Sequence, residues 1–490
     1  MRLSKLLREA EIAFSQGLTD MEIEGISSDS RTVRGGEIFV ALRGLSQDGF
    51  CHIAEAVRKG AVLVIAERRA EGCPCLVVDD ARAALARLFD AWYGHPARGM
   101  TLIGITGTNG KTSTAAMLFA ILRAAGYDCG LIGTVECRFN EEVLSLSNAD
   151  ALANMTTPDP SELYALLAEL RARGATHTVM EVTSHALTFS KVAPLRFARA
   201  VFTNLTPDHL DLHGDMESYF AEKRKLFSQC DGAVISCFGE YGTRLADTLE
   251  LPVRTVSPQT VRNVQKKGAD GVCFALMSES APLSLFLPVP GDFSVENGAL
   301  AATTALSLGV AHNTVKQALA TFGGVKGRIE RVGENRLGIS VFLDYAHTPD
   351  ALEKLLLCVR GFRAPEQRIV LLFGCGGDRD RTKRAEMGRV ASRLADFLIL
   401  TSDNCRSERP EDILHDILKG VDKERPYKIL PDRREAIAYA VAHARRGDIL
   451  LLAGKGHEEY EIRGRARIPF SEREIVCQCL REREEADDAD

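Results

Sequence analysis

No stretch of the 490-residue chain approaches the roughly 18 uninterrupted apolar residues that a membrane-spanning helix needs, so no span is expected. A dominant charge of one sign is also missing. The formal net charge is -6 and no basic stripe stands out, which argues against a nucleic-acid-binding protein. Zinc-type cysteine spacing is absent too. The 13 cysteines include two close pairs, Cys73-Pro-Cys75 and Cys477-Gln-Cys479, and neither has ligand spacing or a matching second pair. Reduced, mostly buried thiols in a cytoplasmic protein are therefore expected. Residues 1–14 read as an amphipathic helix that carries acids and lacks a continuous apolar core, unlike a signal peptide. Repeats are lacking, and low complexity is confined to the acidic tail at residues 484–490, expected to fray. What remains is ordinary globular composition, 45% hydrophobic and 26% charged. At roughly 150 residues per domain it is long enough for about three.

The most informative segment is Thr106-Gly107-Thr108-Asn109-Gly110-Lys111-Thr112-Ser113. It follows the apolar run Thr101-Leu102-Ile103-Gly104-Ile105 and precedes a helical pattern at residues 114–125. A strand, a glycine turn and a helix start make a phosphate cradle, because backbone N–H groups and the positive helix end converge on an anion. Lys111 can reach terminal phosphates and the Thr112 hydroxyl can ligate Mg²⁺. Ile105 occupies the place where the usual phosphate-loop pattern has its first Gly, a departure in text but not in physics. A nucleoside triphosphate is the expected ligand.

Around this loop the chain divides into a block at residues 1–98, a second at 99–327 and a third at 328–490. The first shows buried-strand runs at 38–42 and 62–65 and a helix pattern at 81–93, closed by Gly94 and Pro96. The second carries strands at 101–105, 178–182, 200–203 and 233–236 with a helix at 161–173. The third alternates strands at 341–344, 369–373, 397–400 and 449–452 with helices at 349–359, 385–394 and 433–444. Such alternation implies mostly parallel sheets that bind ligands at the carboxyl ends of their strands. That rule gathers Lys111, Glu181 and Asn204 at one edge.

Several strand ends carry chemistry. Glu181, in Glu181-Val182-Thr183-Ser184-His185, either holds Mg²⁺ or is a solvated strand-end acid. Asn204-Leu205-Thr206-Pro207-Asp208-His209-Leu210-Asp211-Leu212-His213 packs two His and two Asp together, which suits either a metal, magnesium before zinc, or a hydrogen-bonded helix cap. Arg328 offers a bidentate fork for phosphate at a hinge. Asp344 can accept from ribose hydroxyls, with His347 near phosphate. Asp403-Asn404-Cys405-Arg406 and Gly454-Lys455-Gly456-His457-Glu458 end two strands of the third block, where acids, amides and an Arg suit an amphoteric ligand. Arg379, Arg381, Lys383 and Arg384 form a local basic cluster that reads as a small anion site.

In this order the segments TGTNGKT, EVTSH, NLTPDHLDLHG, GRIER, DYAHTPD and GKGHEEY, with Asp29-Ser30-Arg31 upstream, resemble the Mur ligase family. The resemblance implies an α/β protein of three domains: a small N-terminal α/β domain for the UDP end, a central phosphate-loop parallel-sheet domain, and a C-terminal Rossmann-like domain for the amino acid. It implies an ATP-dependent ligase that phosphorylates a γ-carboxylate and lets an amine displace phosphate. Lys111, Glu181, His209, Lys223 and Arg328 would be the catalytic set, and Thr112, Glu181 and His209 would arrange magnesium. Asn297 would contact adenine and Asp344 ribose. A CO₂-derived lysine carbamate maps to Lys223, with Lys225 next.

By position, Ser28, Ser30, Leu45, Ser46 and Gln47 would hold UDP, and Thr156, Thr157, Thr183 and Lys191 the muramoyl peptide. Phe189 and Lys191 stand where the family commonly has Gln and Arg. Asp403, Asn404, Cys405 and Arg406, with Arg384, Gly454 and Glu458, would hold the added amino acid. Arg406 favours meso-diaminopimelate over L-lysine, because it grips a distal carboxylate and repels an ammonium; Cys405 replaces the usual Pro. UDP-N-acetylmuramoyl dipeptide and meso-diaminopimelate are thus the expected small-molecule partners of a cytoplasmic monomer. The same ligation with L-lysine, a folylpolyglutamate synthetase and a phosphate-loop ATPase switch are the competing readings.

Overall fold

The computed structural model describes residues 1–13, 18–44, 48–144, 156–277, 281–464 and 466–487. Three sheets carry the architecture. The first is four-stranded and parallel: Gly25–Ser27, Glu37–Val40, Leu63–Ala66 and Cys75–Val77. The second has eight strands, in the order Val253–Val256, Ala233–Ser236, Arg199–Phe202, Thr101–Thr106, His177–Glu181, Cys129–Ile132, Cys137–Phe139 and Glu142–Val143. Its first six strands are parallel and the last two antiparallel. The third runs Glu330–Val332, Ser340–Asp344, Ile449–Ala453, Ile369–Phe373, Phe397–Leu400 and Tyr427–Ile429, parallel except at its first pair.

Alternating side chains sort the central sheet between two cores. Leu102, Met180, Phe202 and Ile235 face one way and join Leu3, Ile38, Leu88 and Leu167, so the first sheet and the central sheet share a continuous core. Ile103, Val179, Val201 and Val234 face the other way. There they meet helix Lys111–Ala124, helix Asp292–Ser307 and the antiparallel sheet Val261–Lys266, Val272–Leu276, Leu283–Leu287. The third sheet has its own pair of cores, one per face.

Strand register aligns the chemistry. Ile105 lies opposite Glu181 and Thr106 opposite Phe202, so the phosphate loop, Glu181 and residues 203–209 leave one edge together. In the third sheet Asp344 and Phe373 both lie opposite Ala453, which brings the segments after those strands to one edge.

Three sequence expectations change. The loop helix starts at Lys111 instead of residue 114, because Gly110 supplies the left-handed cap (φ 85) and puts Lys111 and Thr112 in the first turn. The acidic tail is helical through Asp487, within Glu472–Asp487, since Val476 and Leu480 are buried against the core that includes helix Arg433–His443. The opening helix spans Leu3–Glu9 only.

Candidate active site

A cavity of about 1130 Å³ runs between the three sheets and is lined by residues of all three blocks of the chain. The phosphate loop forms its middle. Lys111 donates from Nζ to the carbonyls of Gly107 (3.0 Å) and Thr108 (2.9 Å), and burial pushes its ammonium below the usual lysine range. The loop is anchored on the neighbouring strand end: Asn109 N–H donates to Asn204 Oδ1 (3.0 Å), and Thr203 Oγ1 donates to the Asn109 carbonyl (2.6 Å). Gly107 contributes backbone; a Cβ there would stand 1.9 Å from Thr203 Oγ1. Thr108, Asn109, Gly110, Lys111, Thr112 and Ser113 line the cavity.

Glu181 is 1% exposed and has no ion pair among the described residues. Its oxygens accept from Thr134 N–H (2.8 Å), Thr134 Oγ1 (3.0 Å) and Thr112 Oγ1 (3.0 Å). A buried carboxylate left without a cation beside a hydroxyl is a hard-oxygen donor set that fits a magnesium ion, which keeps most of its remaining positions for water and phosphate. Thr134, which the sequence reading missed, also accepts or donates at Thr156 Oγ1 (3.0 Å) and so ties Glu181 to Thr156.

The His-rich segment divides. His209 lines the cavity with Asp208, 3.4 Å between Nε2 and Oδ2, and burial holds its imidazole down to about 4, so it stays neutral at neutral pH. His213 turns away to Ser184 Oγ (3.0 Å) and stacks on Tyr219. Among the described residues no group of three or more His, Cys, Asp or Glu is placed to hold a metal, so the expectation of a metal held by this His/Asp segment itself is not met. Lys223 is 1% exposed; its Nζ donates to the Gly107 carbonyl (2.8 Å) beside the Tyr219 ring. Burial, then the nearby Lys111, push its ammonium well below the usual range.

The third sheet closes over the loop. Arg328 Nη2 donates to Thr112 Oγ1 (3.3 Å) while its guanidinium lies 4.7 Å from the Tyr345 ring centre. Asn109 Nδ2 reaches Asp350 Oδ2 (2.9 Å) across the same gap. Asp344 accepts from the N–H groups of Ile329 and Ala346, both at 2.8 Å, and burial pushes its carboxyl up against the pull of Arg328. His347, also desolvated, faces the Tyr345 carbonyl through Nδ1 at 2.9 Å. Asn297 lies on helix Asp292–Ser307 and accepts from Thr114 Oγ1 (3.3 Å).

At the far end Asn404 is locked by four contacts: Nδ2 to Glu458 Oε2 (2.7 Å), Oδ1 from Lys455 Nζ (3.1 Å) and Ile462 N–H (2.9 Å), and its own N–H to Asp403 Oδ1 (2.7 Å). Asp403, Asn404, Arg406, Gly454 and Glu458 all line the cavity. Burial and then Asp403 push the Glu458 carboxyl up. Arg406 spends Nη1 on the carbonyls of Gly377 and Asn404 and pairs with no carboxylate among the described residues.

Two residues expected here stand elsewhere. Arg384 is wholly buried and clamped by Glu408 (2.7 Å) and Asp416 (3.0 Å), and it does not line the cavity. Arg379, five residues earlier, lines it beside Arg406 instead. Cys405 points its thiol at the Ile462 carbonyl, away from the cavity.

At the opposite end Thr157, Thr183 and Lys191 interlock: Thr157 Oγ1 donates to the Glu181 carbonyl (3.0 Å), Thr183 N–H donates to Thr157 Oγ1 (3.1 Å), and Lys191 Nζ pairs with Asp159 (2.8 Å). Thr156, Thr157, Thr183, Lys191 and Ser28 line the cavity, whereas Ser30 lies beneath it with its hydroxyl on Glu55 (2.7 Å). Leu45, Ser46 and Gln47 lie outside the described residues.

With this geometry in hand, similarity to known proteins covers nearly the whole chain. Profiles of the Mur ligase family, catalytic domain, the Mur ligase middle domain and the Mur ligase, glutamate ligase domain match residues 22–93, 105–306 and 327–456. A UDP-N-acetylmuramoyl-L-alanyl-D-glutamate–2,6-diaminopimelate ligase of Caldanaerobacter subterraneus subsp. tengcongensis is 40% identical over 493 residues, covering 99% of this chain and 100% of that protein. One of Gloeobacter violaceus with the same name is 41% identical over 494 residues, 99% of each. A solved structure of such a ligase superposes with a TM-score of 0.68 at 28% identity over 98% of this chain and 99% of its own. A Mycobacterium tuberculosis folylpolyglutamate synthase complexed with ADP and AMPPCP shares the fold at 19% identity and a TM-score of 0.63, over 76% of this chain and 93% of its own.

Proposed function

The chain belongs to the Mur ligase family, and from that premise we propose an ATP-dependent ligase that joins meso-diaminopimelate to UDP-N-acetylmuramoyl-L-alanyl-D-glutamate in peptidoglycan precursor synthesis. The observation that carries this reading is one cavity lined at once by the phosphate loop, by Thr156, Thr157, Thr183 and Lys191, and by Asp403, Asn404 and Arg406. Residues 1–98, 99–327 and 328–490 are taken as the UDP-binding, ATP-binding and amino-acid-binding domains, a division supported by their separate sheets. A cytoplasmic monomer fits a reaction among soluble small molecules, and no described helix is long and apolar enough to cross a membrane.

The chemistry follows from placement. Lys111 leaves its loop carbonyls for the phosphates of ATP, and Arg328 neutralises the transferring γ-phosphoryl group while the substrate's γ-carboxylate attacks it. ADP departs as the β,γ-phosphoanhydride bond breaks, and the acyl phosphate then meets a free amine: the nitrogen lone pair attacks the carbonyl carbon, the carbon–oxygen bond to phosphate breaks, and the nitrogen gives up a proton to solvent. Glu181, Thr112 and His209 would hold Mg²⁺, which when bound supplies charge neutralisation on the phosphate oxygens. Lys223 is the candidate for carbamylation, since burial favours its uncharged amine and only the free amine combines with CO₂. Asn297 and Asp344 receive adenine and ribose.

Arg406 and Arg379 are the basis for choosing a diamino acid with a second carboxylate. Amide formation from the nucleotide-linked dipeptide, ATP and either amino acid decides the matter. Diaminopimelate is expected to turn over faster; a preference for L-lysine overturns the choice, and no amide with any amino acid ends the ligase reading. In the same assay Lys223→Ala should abolish turnover, and wild-type rates in that variant would remove the carbamate.

A further inference from the structure

At the end of the cavity lined by the first sheet's domain, one guanidinium is held without a carboxylate. Arg82 is the second residue of helix Ala81–Trp92 and lines the cavity. Its guanidinium lies 4.4 Å from the centre of the Phe189 ring, which comes from the central-sheet domain. Nη2 donates to the Arg43 carbonyl, and the Arg82 side chain has no other hydrogen bond and no ion pair among the described residues. The other cation at this end, Lys191, is paired with Asp159. The nearest acid in the chain, Asp80, is committed as well: Oδ1 caps the helix by accepting from the N–H groups of Arg82 and Ala83, and Oδ2 accepts from Ser190 Oγ (3.1 Å).

Stacking uses the face of a guanidinium and leaves its edge donors, five N–H groups in a fixed fork, of which one is spent here. Leu42, Leu85 and Phe89 line this end beside Ser28, and Arg82 itself is half-buried, so its edge donors face the cavity. A pinned, unpaired fork facing a cavity suits a phosphate oxygen pair. The substrate's γ-carboxylate is drawn the other way, since it must reach the phosphate loop.

We infer that Arg82, pinned against Phe189, binds the diphosphate of the nucleotide-linked substrate. This rests on the ligase reading for the identity of the substrate, whereas the anion site itself does not.

The test is calorimetric binding of uridine and of UDP to the whole protein, as wild type, R82Q and F189L, alongside steady-state kinetics. Wild type is expected to bind UDP at least about tenfold tighter than uridine, the increment of charge-assisted hydrogen bonds. R82Q should erase that increment with uridine binding unchanged, and F189L should shrink it. KM for the UDP-dipeptide should rise by a similar factor in R82Q while kcat and the KM values for ATP and diaminopimelate stay put. An unchanged UDP increment in R82Q, no increment in wild type, or equal losses for uridine and UDP each overturn the proposal. Failure of the ligase reading would look different: the UDP increment and its loss in R82Q would remain, and no amide would form.

Discussion

Two arginines five positions apart show how side-chain direction divides labour. Arg379 lines the cavity next to Arg406, whereas Arg384 is buried between Glu408 and Asp416. Arg379→Gln is expected to raise KM for diaminopimelate about tenfold, the loss of one charge-assisted contact, with KM for ATP and the melting temperature unchanged. Arg384→Gln should instead destabilise the fold by roughly 3 kcal/mol, because removing one partner strands buried charge. Calorimetry and kinetics on both variants separate the two effects. Acid should expose the same clamp. Arg384 holds Glu408 down to about 2, from 4.5, while Lys419 first, then Arg381, and after them Arg384 hold Asp416 below its ordinary value. A depressed carboxylate stabilises the fold fully above its unfolded value and loses that contribution as pH falls through the folded one. Wild-type melting temperature should therefore drop between pH 4.5 and about 2, and the Arg384→Gln curve should be flatter there. The sequence offered the basic run as an anion site but not its direction. Which arginine enters the cavity depends on the partners that Glu408 and Asp416 provide from a later segment.

At the scale of elements, the parallel sheets and the strand-end motifs were legible because buried β-branched runs ending in Gly, Asp or Asn are local signals. Ala233–Ser236, Ile369–Phe373 and Phe397–Leu400 fall where the pattern puts them. The sheet Val261–Lys266, Val272–Leu276, Leu283–Leu287 was not read, since its first strand is largely exposed and polar and only its partners pack on helix Asp292–Ser307. Thr134 was equally silent; a lone Thr gains meaning only from the Glu181 it touches. The loop helix itself depends on one backbone torsion. Gly110 sits at φ 85, and a Cβ there would lie 2.4 Å from Asn297 Oδ1. Gly110→Ala is expected to cost about 1–2 kcal/mol of left-handed strain and to displace Asn297. A lower melting temperature together with a raised KM for ATP is the predicted pair of changes; an unaltered KM would separate Asn297 from adenine.

Across the whole molecule the three sheets are unequally joined. The first and second share a continuous apolar core, whereas the third has separate cores and meets the loop through polar contacts such as Arg328 to Thr112 and Asn109 to Asp350, with Phe293 packed at its edge. Apolar burial of that extent resists separation far more than a few solvent-accessible hydrogen bonds do. The third domain is thus expected to swing outward when the cleft is empty. Small-angle scattering should give a larger radius for the free protein than with ATP and both substrates, and identical envelopes would refute it.

That inequality also sets where the chain can be recombined. A chimera spliced at Gly327 exchanges the amino-acid end as an intact module and leaves the apolar seam beneath it whole, whereas a junction at residue 98 splits Leu88 from Leu167 and asks two foreign halves to re-form one interior.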